Sequence, residues 1–313
     1  MTVTENTNDR SAEPSVIFNF PDPLPGGPKT AVCTKIGKIN GGQDGAVFGK
    51  YLFRFDASGN GKVYLPENGE WKKTAEFTLE KQELMKVHSN AVFFGPYFCS
   101  EDDEFPLLYT NVYNSYSSAE DRREGVCGVY RITRAGESFR GELVQILRIG
   151  FTENLGLWKS LPDRGDVRPY GNFICDSDTK TLWAFTMRDK EKVTRFFSFA
   201  LPKPEDGEND DRLGCPCVTL TENDILDRFD ADYSNYIQGA CLFDGKICSL
   251  EGFTDNTGAP ARMQVFDLRA KKTAAVLDFQ GNGMTREPEF VSEYDGALLY
   301  SDGSGNLFRI EFS

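Results

Sequence analysis

The sequence predicts an all-β protein, and specifically a closed β-propeller, from three observations. Short apolar runs alternate with turn signals from residue 43 onward, whereas stretches with a helical period are nearly absent. The 25 Phe and 12 Tyr residues suit strands, because aromatic rings pack well on a pleated surface. Finally, a similar segment recurs along the chain, which is the signature of a repeat architecture.

The recurrent segments mark the predicted inner strands of the blades. Each opens with a polar or amphipathic residue, passes through small or polar residues and enters an apolar strand. The opening residues are Gln43, His88, Tyr170, Gln238 and Glu287. Two of the intervals between them fit one four-stranded blade of roughly 40–50 residues, and two fit a blade with a long insertion.

The strand count near the two chain ends predicts how the ring closes. Too few residues follow Glu287 for four strands, so the strands predicted at 16–20 and 31–36 should complete the last blade. This gives five blades. Six is the rival number, because the interval after His88 has room for another blade around residues 125–149. Against it, segments 128–133 and 142–149 serve well as the third and fourth strands of the second blade.

Residues 15–313 are therefore expected to form a single propeller domain. The polar residues 1–14 before it are expected to be a disordered tail, since they have too few apolar side chains to bury.

Three strand starts carry a resemblance to known proteins. His-Ser-Asn-Ala at His88, Gln-Gly-Ala at Gln238 and Glu-Pro-Glu-Phe at Glu287 resemble inner-strand starts of bacterial propellers of the YVTN/quinoprotein-like superfamily. The chain also resembles such propellers from gut bacteria, over roughly residues 30–313. The resemblance implies the fold and says little about function, because propellers host many functions. The Gly-His and Trp-Asp signature of WD40 repeats is missing, which disfavours a eukaryotic-type scaffold.

The charge balance restricts the partners. The chain has 48 acidic and 35 basic residues and a net charge of −13, which argues against nonspecific binding to nucleic acid or anionic membranes. We find neither a secretory signal nor an apolar run of the roughly 18 residues that a membrane helix requires. A cytoplasmic location is therefore expected, with the eight cysteines mostly reduced.

The cysteines divide into two groups. Cys175, Cys241 and Cys248 lie in apolar runs and are expected to fill the core. The spacing of Cys215-Pro-Cys217 is too short for a redox or zinc motif, so a plain loop is expected there.

The strand starts also predict a site. Inner strands line the central channel of a propeller, so their first residues should form a ring at one mouth. Strand alternation places Asn90, Asn172 and Glu289 one inward-facing position further on. Two arginines next to strand starts add positive charge. The predicted ligand-binding residues are Gln43, His88, Asn90, Arg168, Tyr170, Asn172, Gln238, Arg286, Glu287 and Glu289. The alternative is that these side chains only hydrogen-bond one another and hold the blades in register.

This polar ring predicts a binding protein for a small polar molecule, a carbohydrate or a peptide in the central funnel. The residue types in the ring do not identify a cofactor, and no metal site is predicted from them. A single histidine argues against a His-rich zinc site, and a Gly-x-Ser-x-Gly nucleophile elbow is missing. One alternative is a carboxylate-dependent glycoside hydrolase or lyase that uses Asp44, Glu251, Glu287 or Glu289. Another is a protein-interaction platform on the rim loops. The oligomeric state stays open.

Three local motifs have plainer interpretations. Asp56-Ala-Ser-Gly-Asn-Gly61, followed by Glu67, nearly fits a calcium-binding loop, but its flanks are strands, so a hairpin turn is expected. Aromatic residues 233, 236 and 158 precede strand starts, where they either stack on a ligand or pack a loop. One or two helical turns are expected at 222–229, with Thr221 as N-cap.

Overall fold

A computed structural model describes residues 15–313 except residues 22, 25–26, 86, 113–124, 151–170 and 254–257. Tyr170, Arg168, Trp158 and the predicted N-terminal tail lie outside the described residues. The strands are β1 Val16–Asn19, β2 Thr30–Lys38, β3 Gly45–Phe48, β4 Tyr51–Phe55, β5 Asn60–Glu67, β6 Glu70–Thr78, β7 Val92–Phe94, β8 Leu108–Val112, β9 Val126–Ala135, β10 Ser138–Ile149, β11 Asn172–Asp176, β12 Thr181–Arg188, β13 Val193–Ala200, β14 Glu208–Asp210, β15 Cys215–Leu220, β16 Asp227–Asp232, β17 Ile237–Phe243, β18 Lys246–Phe253, β19 Ala259–Asp267, β20 Lys272–Leu277, β21 Pro288–Tyr294, β22 Ala297–Asp302 and β23 Asn306–Phe312.

These strands form five sheets, which are the blades of a closed β-propeller. The first, third and fourth blades have the orders β3-β4-β5-β6, β11-β12-β13-β16 and β17-β18-β19-β20. The inner strands β3, β7, β11, β17 and β21 each contact the next, and β21 contacts β3, so the ring is complete. The predicted five-bladed all-β fold is confirmed.

The fifth blade joins the two ends of the described chain. Its order is β1-β2-β23-β22-β21, and Ala31 of β2 pairs with Phe312 of β23. Backbone hydrogen bonds between Thr30 and Ser313 extend this pairing. Ring closure by the early strands, as predicted, satisfies edges that would otherwise remain open.

The second blade is larger than the sequence indicates. It contains the predicted strands β9 and β10, and it gains β15 and β14 at its outer edge. These two strands come from the chain between β13 and β16 of the third blade, and β15 pairs with β10 in parallel. Gln145 of β10 fixes the crossing by donating from Nε2 to the carbonyls of Lys203 (2.6 Å) and Asp206 (3.0 Å).

This crossing corrects the expectation for Cys215 and Cys217, which lie in strand β15 rather than in a loop. Neither cysteine forms a disulfide bond in the described structure. Cys215 is buried beside the aromatic core, so its side chain fills space there.

Apolar side chains fill every interface between neighbouring blades. One cluster joins the first and second blades, a second joins the second, third and fourth, a third joins the fourth and fifth, and a fourth joins the fifth and first. Phe53 meets Phe105 edge to face at 5.4 Å, and Phe196 stacks on Phe229 at 4.7 Å. Cys175, 241 and 248 are buried in these clusters, as predicted.

Helical structure in the described chain is limited to α1, Gln82–Met85, and the 3-10 turns Glu222–Asp224 and Gln280–Asn282. The expected helix at 222–229 stops after one turn. Asp224 Oδ2 accepts from the backbone N and from Oγ1 of Thr221, both at 2.7 Å, and so completes the cap. Phe229 then pairs with Phe196 in the sheet, because its ring packs in the core. No helix in the described chain is long and apolar enough to cross a membrane.

Candidate functional site

A polar cavity of about 300 Å³ lies at the mouth where the inner strands begin, between the first and fifth blades. We call it the strand-start pocket. Its lining residues are all polar, charged or glycine: Gly42, Gln43, Arg286, Glu287, Glu289, Gly303 and Ser304. The pocket therefore brings together Gln43, Arg286, Glu287 and Glu289 from the predicted set.

Glu289 is the buried acid of this pocket, with only 5% of its surface exposed. Its Oε1 accepts from Gln43 Nε2 at 3.4 Å, and its Oε2 has no hydrogen-bond partner in the described structure. Burial and the nearby carboxylate of Glu287 raise the pKa of Glu289, while Arg54 lowers it. The site thus contains an acceptor that is removed from solvent and still unsatisfied.

Arg54 lies behind the pocket and was missed by the sequence analysis. It is 1% exposed, stands over the Phe290 ring, and donates from Nη2 to the carbonyls of Gly42 (2.8 Å) and Asp302 (3.3 Å). Burial lowers the pKa of Arg54, and the charge of Glu289 raises it. The available signal was a lone arginine inside the apolar run Tyr51–Phe55, since buried arginines are rare without a partner.

A chain of hydrogen bonds links other predicted ring residues. Asn90 donates from Nδ2 to Gln238 Oε1 at 3.2 Å, and Gln238 Nε2 donates to Glu287 Oε1 at 2.5 Å and to the Gly252 carbonyl at 3.1 Å. These bonds connect the second, fourth and fifth blades. This part of the ring therefore keeps the blades in register, the alternative role weighed from the sequence.

Asp44 crosses the channel from the first blade and is fully buried. Its Oδ2 accepts from the backbone N of Val92 (3.1 Å) and of Ala240 (3.3 Å), and its Oδ1 accepts from Val291 N at 3.2 Å. A Cβ at Gly239 would lie 3.0 Å from the Glu289 carbonyl oxygen and 3.2 Å from Asp44 Cγ, closer than ordinary contact, so the glycine gives room for this approach. Burial raises the pKa of Asp44, and these backbone donors oppose the rise.

The geometry therefore separates the four candidate carboxylates. Asp44 is saturated by backbone donors from three other blades. Glu251 is also fully buried, and it accepts from Arg262 Nε and from the backbone N of Asn235 at 2.6 Å. Both acids are occupied by structural contacts. Glu287 gives one oxygen to Gln238, whereas Glu289 keeps one oxygen without a hydrogen-bond partner in the described structure, so Glu289 is the carboxyl group best placed to meet a ligand.

Of the predicted ring residues that the structure describes, Asn90, Gln238, His88 and Asn172 do not line the strand-start pocket. His88 is half-buried, and burial lowers the pKa of its imidazole. Asn172 is 9% exposed at the start of β11. Arg168 and Tyr170 lie outside the described residues. The strand-start pocket thus uses the side of the ring formed by the first and fifth blades.

The calcium-like sequence at Asp56 is a hairpin turn, as expected. Asp56 Oδ1 accepts from the backbone N of Ser58 (2.8 Å) and Asn60 (3.0 Å), and Oδ2 accepts from Asn60 Nδ2 (2.9 Å). Asp302 and Asn306 repeat the spacing and the bonds in the fifth blade. Each carboxylate is used by its own turn. Among the described residues, no group of three His, Cys, Asp or Glu side chains is arranged to hold a metal.

The loop that leads into β17 carries Tyr233 and Tyr236 and packs onto the third blade. Tyr233 donates to Asp189 Oδ1 at 2.5 Å, and the Lys192 ammonium lies 4.8 Å from its ring centroid. The backbone N of Tyr236 donates to Met187 Sδ at 3.0 Å. Tyr233 and Tyr236 thus pack a loop against the blade, which is one of the two roles considered from the sequence.

Comparison with known proteins finds similarity only among solved structures. No family model and no curated protein sequence matches it. Among solved structures, the Myxococcus xanthus glutaminyl cyclase aligns at a TM-score of 0.46 and 9% identity, over 90% of this chain and 96% of that one. The Kuenenia stuttgartiensis hydrazine synthase gives 0.40 and 10%, over 83% and 61%. The Dos1 propeller gives 0.35 and 12%, over 86% and 59%. The assignment of the fold rests on the five sheets themselves.

Proposed function

We propose that this protein binds a small polar molecule rich in hydrogen-bond donors, such as a carbohydrate, in the strand-start pocket. The observation that carries the proposal is the unpartnered Oε2 of Glu289, which is buried in the wall of a polar cavity. An unsatisfied buried acceptor is costly to the folded protein, and a donor from a ligand relieves that cost.

The chemistry of the walls supports this class of ligand. Gln43 Oε1 is a second buried acceptor without a partner, so the pocket offers two acceptors to an incoming molecule. The lining has no apolar side chain, and a volume near 300 Å³ is at the lower end for small-molecule sites. Arg286 is exposed at the rim, where it can pair with an acceptor on the same ligand.

A calorimetric and thermal-shift screen with sugars, polyols and amino acids tests the proposal. A ligand that binds the folded state raises the melting temperature by mass action. We expect Glu289→Gln to weaken binding about tenfold, because a ligand hydrogen bond to a buried carboxyl oxygen is lost. Glu311→Gln removes an exposed charge elsewhere on the fifth blade and should bind like wild type.

Two further results separate loss of the site from loss of the fold. Unliganded melting curves show whether Glu289→Gln is folded, and Glu287→Gln probes the same pocket from a half-buried position. If no compound shifts the wild type, or if Glu289→Gln binds as tightly as Glu311→Gln, the proposed function is wrong.

A carboxylate-dependent glycoside hydrolase or lyase is the second candidate. It is favoured by one observation, the presence of Glu287 and Glu289 in one pocket with the pKa of Glu289 raised. Separated carboxyl pKa values are what an acid and base pair requires. Release of chromophore from aryl glycosides by wild type, and its loss in both Glu→Gln variants, would establish it over simple binding.

The interaction-platform alternative has less support. The exposed large hydrophobic side chains of the described chain are Ile17, Phe98, Leu226 and Val276, and they lie on four different blades. A protein-binding rim normally presents a contiguous apolar patch.

We further propose, from the sequence features given above, that the protein belongs to the bacterial YVTN/quinoprotein-like propellers and is located in the cytoplasm. Fractionation of the native host would test the location.

A further inference from the structure

A second and larger cavity lies at the opposite mouth, where the inner strands end. It measures about 460 Å³, and every blade contributes to its wall. We call it the strand-end pocket. One lining residue from each blade in turn is Val47, Phe94, Asp176, Leu242 and Glu293. The buried contacts of Asp44 lie between this pocket and the strand-start pocket along the inner strands, so the two cavities are separate.

Aromatic rings form much of one side of the strand-end pocket. Phe48, Phe93, Phe94 and Phe98 all line it, together with Pro96. Phe93 is 6% exposed, whereas Phe98 is 46% exposed at the rim. An exposed phenylalanine beside a concave apolar wall presents a ring that the fold itself does not need for packing.

The charges around this aromatic wall all have one sign. The ionisable acids and bases among the lining residues are Asp176, Asp178 and Glu293, with no Lys, Arg or His. Asp176 and Glu293 accept backbone N–H groups of their own turns. None of the three forms an ion pair with another described residue. Their negative charge is therefore available to a ligand.

We propose that the strand-end pocket binds a small organic cation, a quaternary ammonium group on a compact apolar body. The faces of aromatic rings attract such a cation. The surrounding carboxylates add a Coulomb attraction, because no basic side chain of the described protein is paired with them. A quaternary ammonium has no N–H to donate, so it suits an apolar wall better than a primary amine. A bare metal ion is disfavoured, because no three ligating side chains converge in the described structure.

Calorimetry with choline and with its neutral isostere 3,3-dimethylbutan-1-ol tests the charge requirement directly. We expect choline to bind and the isostere to bind at least fivefold more weakly, because the shapes match and only the charge differs. Choline affinity should also fall as sodium chloride is added, since part of the attraction is screened.

Two variants locate the cation, and each has a matched control. Phe98→Ala should weaken choline binding about twofold to fivefold, while Leu226→Ala, another exposed apolar position, should have no effect. Asp178→Asn should weaken it about fivefold, while Asp211→Asn, which removes an exposed charge on another part of the surface, should not. All four positions are exposed, so these proteins should fold normally.

Three outcomes would overturn the proposal. Choline fails to bind, the neutral isostere binds equally well, or Phe98→Ala and Asp178→Asn both bind like their controls. Loss of choline binding in Glu289→Gln alone would place the cation in the strand-start pocket and also count against it. Failure of the proposed carbohydrate site leaves this inference untouched, because the two sites share no lining residue.

Discussion

Removing the carboxylate of Asp44 should destabilise the whole ring. This side chain receives backbone N–H groups from the second, fourth and fifth blades. Asp44→Ala leaves all three donors buried, at a site where the native residue is fully enclosed.

The size of the effect follows from the number of donors. A buried donor without a partner costs about 1–3 kcal/mol, so three cost roughly 3–9 kcal/mol. The total stability of a typical protein is about 5–15 kcal/mol. Asp44→Asn keeps one oxygen, which can still accept from the backbone N–H groups of Val92 and Ala240. Only the N–H of Val291 then loses its acceptor. Its expected cost is about 1–3 kcal/mol. The predicted order of stability is therefore wild type, then Asn, then Ala.

Urea unfolding followed by circular dichroism measures this order through the midpoint and the slope. Native-state hydrogen exchange of the Val92, Ala240 and Val291 amides should speed up in Asp44→Ala more than elsewhere. Asp211→Ala is the matched control at an exposed position. If Asp44→Ala unfolds at the wild-type midpoint, Asp44 does not hold the blades together.

Two more predictions concern titration and turns. Burial lowers the pKa of His88 below its ordinary 6.5, so an NMR titration of this sole histidine should give a midpoint below that of the unfolded chain. As pH falls, the imidazole is protonated in the unfolded chain before it is protonated in the folded protein. His88 therefore lowers the free energy of unfolding as pH falls below 6.5. A titration midpoint at or above 6.5 would refute this. Asp302→Ala should cost about 2–3 kcal/mol and Asp56→Ala about 1 kcal/mol, because the Asp302 side chain is buried and the Asp56 side chain is only half-buried. Neither calcium nor EDTA should change the melting temperature, since both turn carboxylates are already bonded; a rise with calcium would indicate a metal loop.

The fold was predictable because propellers repeat one local pattern. Each polar start followed by an apolar inner strand identifies one blade in the sequence. Too few strands follow Glu287 for a full blade, so the early strands had to complete the ring. Pairing of β2 with β23 bears this out. The outer strands β14 and β15 were not predictable in the same way. Their parallel pairing with β10 joins distant parts of the chain, and residues 203–213 are acidic and lack strand alternation.

The candidate site was predictable in part for a similar reason. Alternation along β21 places Glu289 inward, and the pocket does contain it with Gln43 and Glu287. The roles of Asp44 and Arg54 could not be read from spacing, because both depend on which backbone groups the other blades bring near them. The strand-end pocket was missed because its phenylalanines look like core residues in sequence, and only the closed ring shows which rings face a cavity.

Asp44 also determines how the two pockets can relate to each other. A packed and hydrogen-bonded side chain lies between them, so each pocket opens at its own mouth. Energetic coupling between sites is commonly carried by an intervening element with two arrangements. The Asp44 contacts instead fix one arrangement, because every accepting oxygen is engaged by a strand backbone that is itself paired in a sheet. A cation in the strand-end pocket should therefore bind with the same affinity whether the strand-start pocket is filled or empty. The two proposed sites are therefore expected to act independently, and a ligand is not expected to pass from one to the other through the channel.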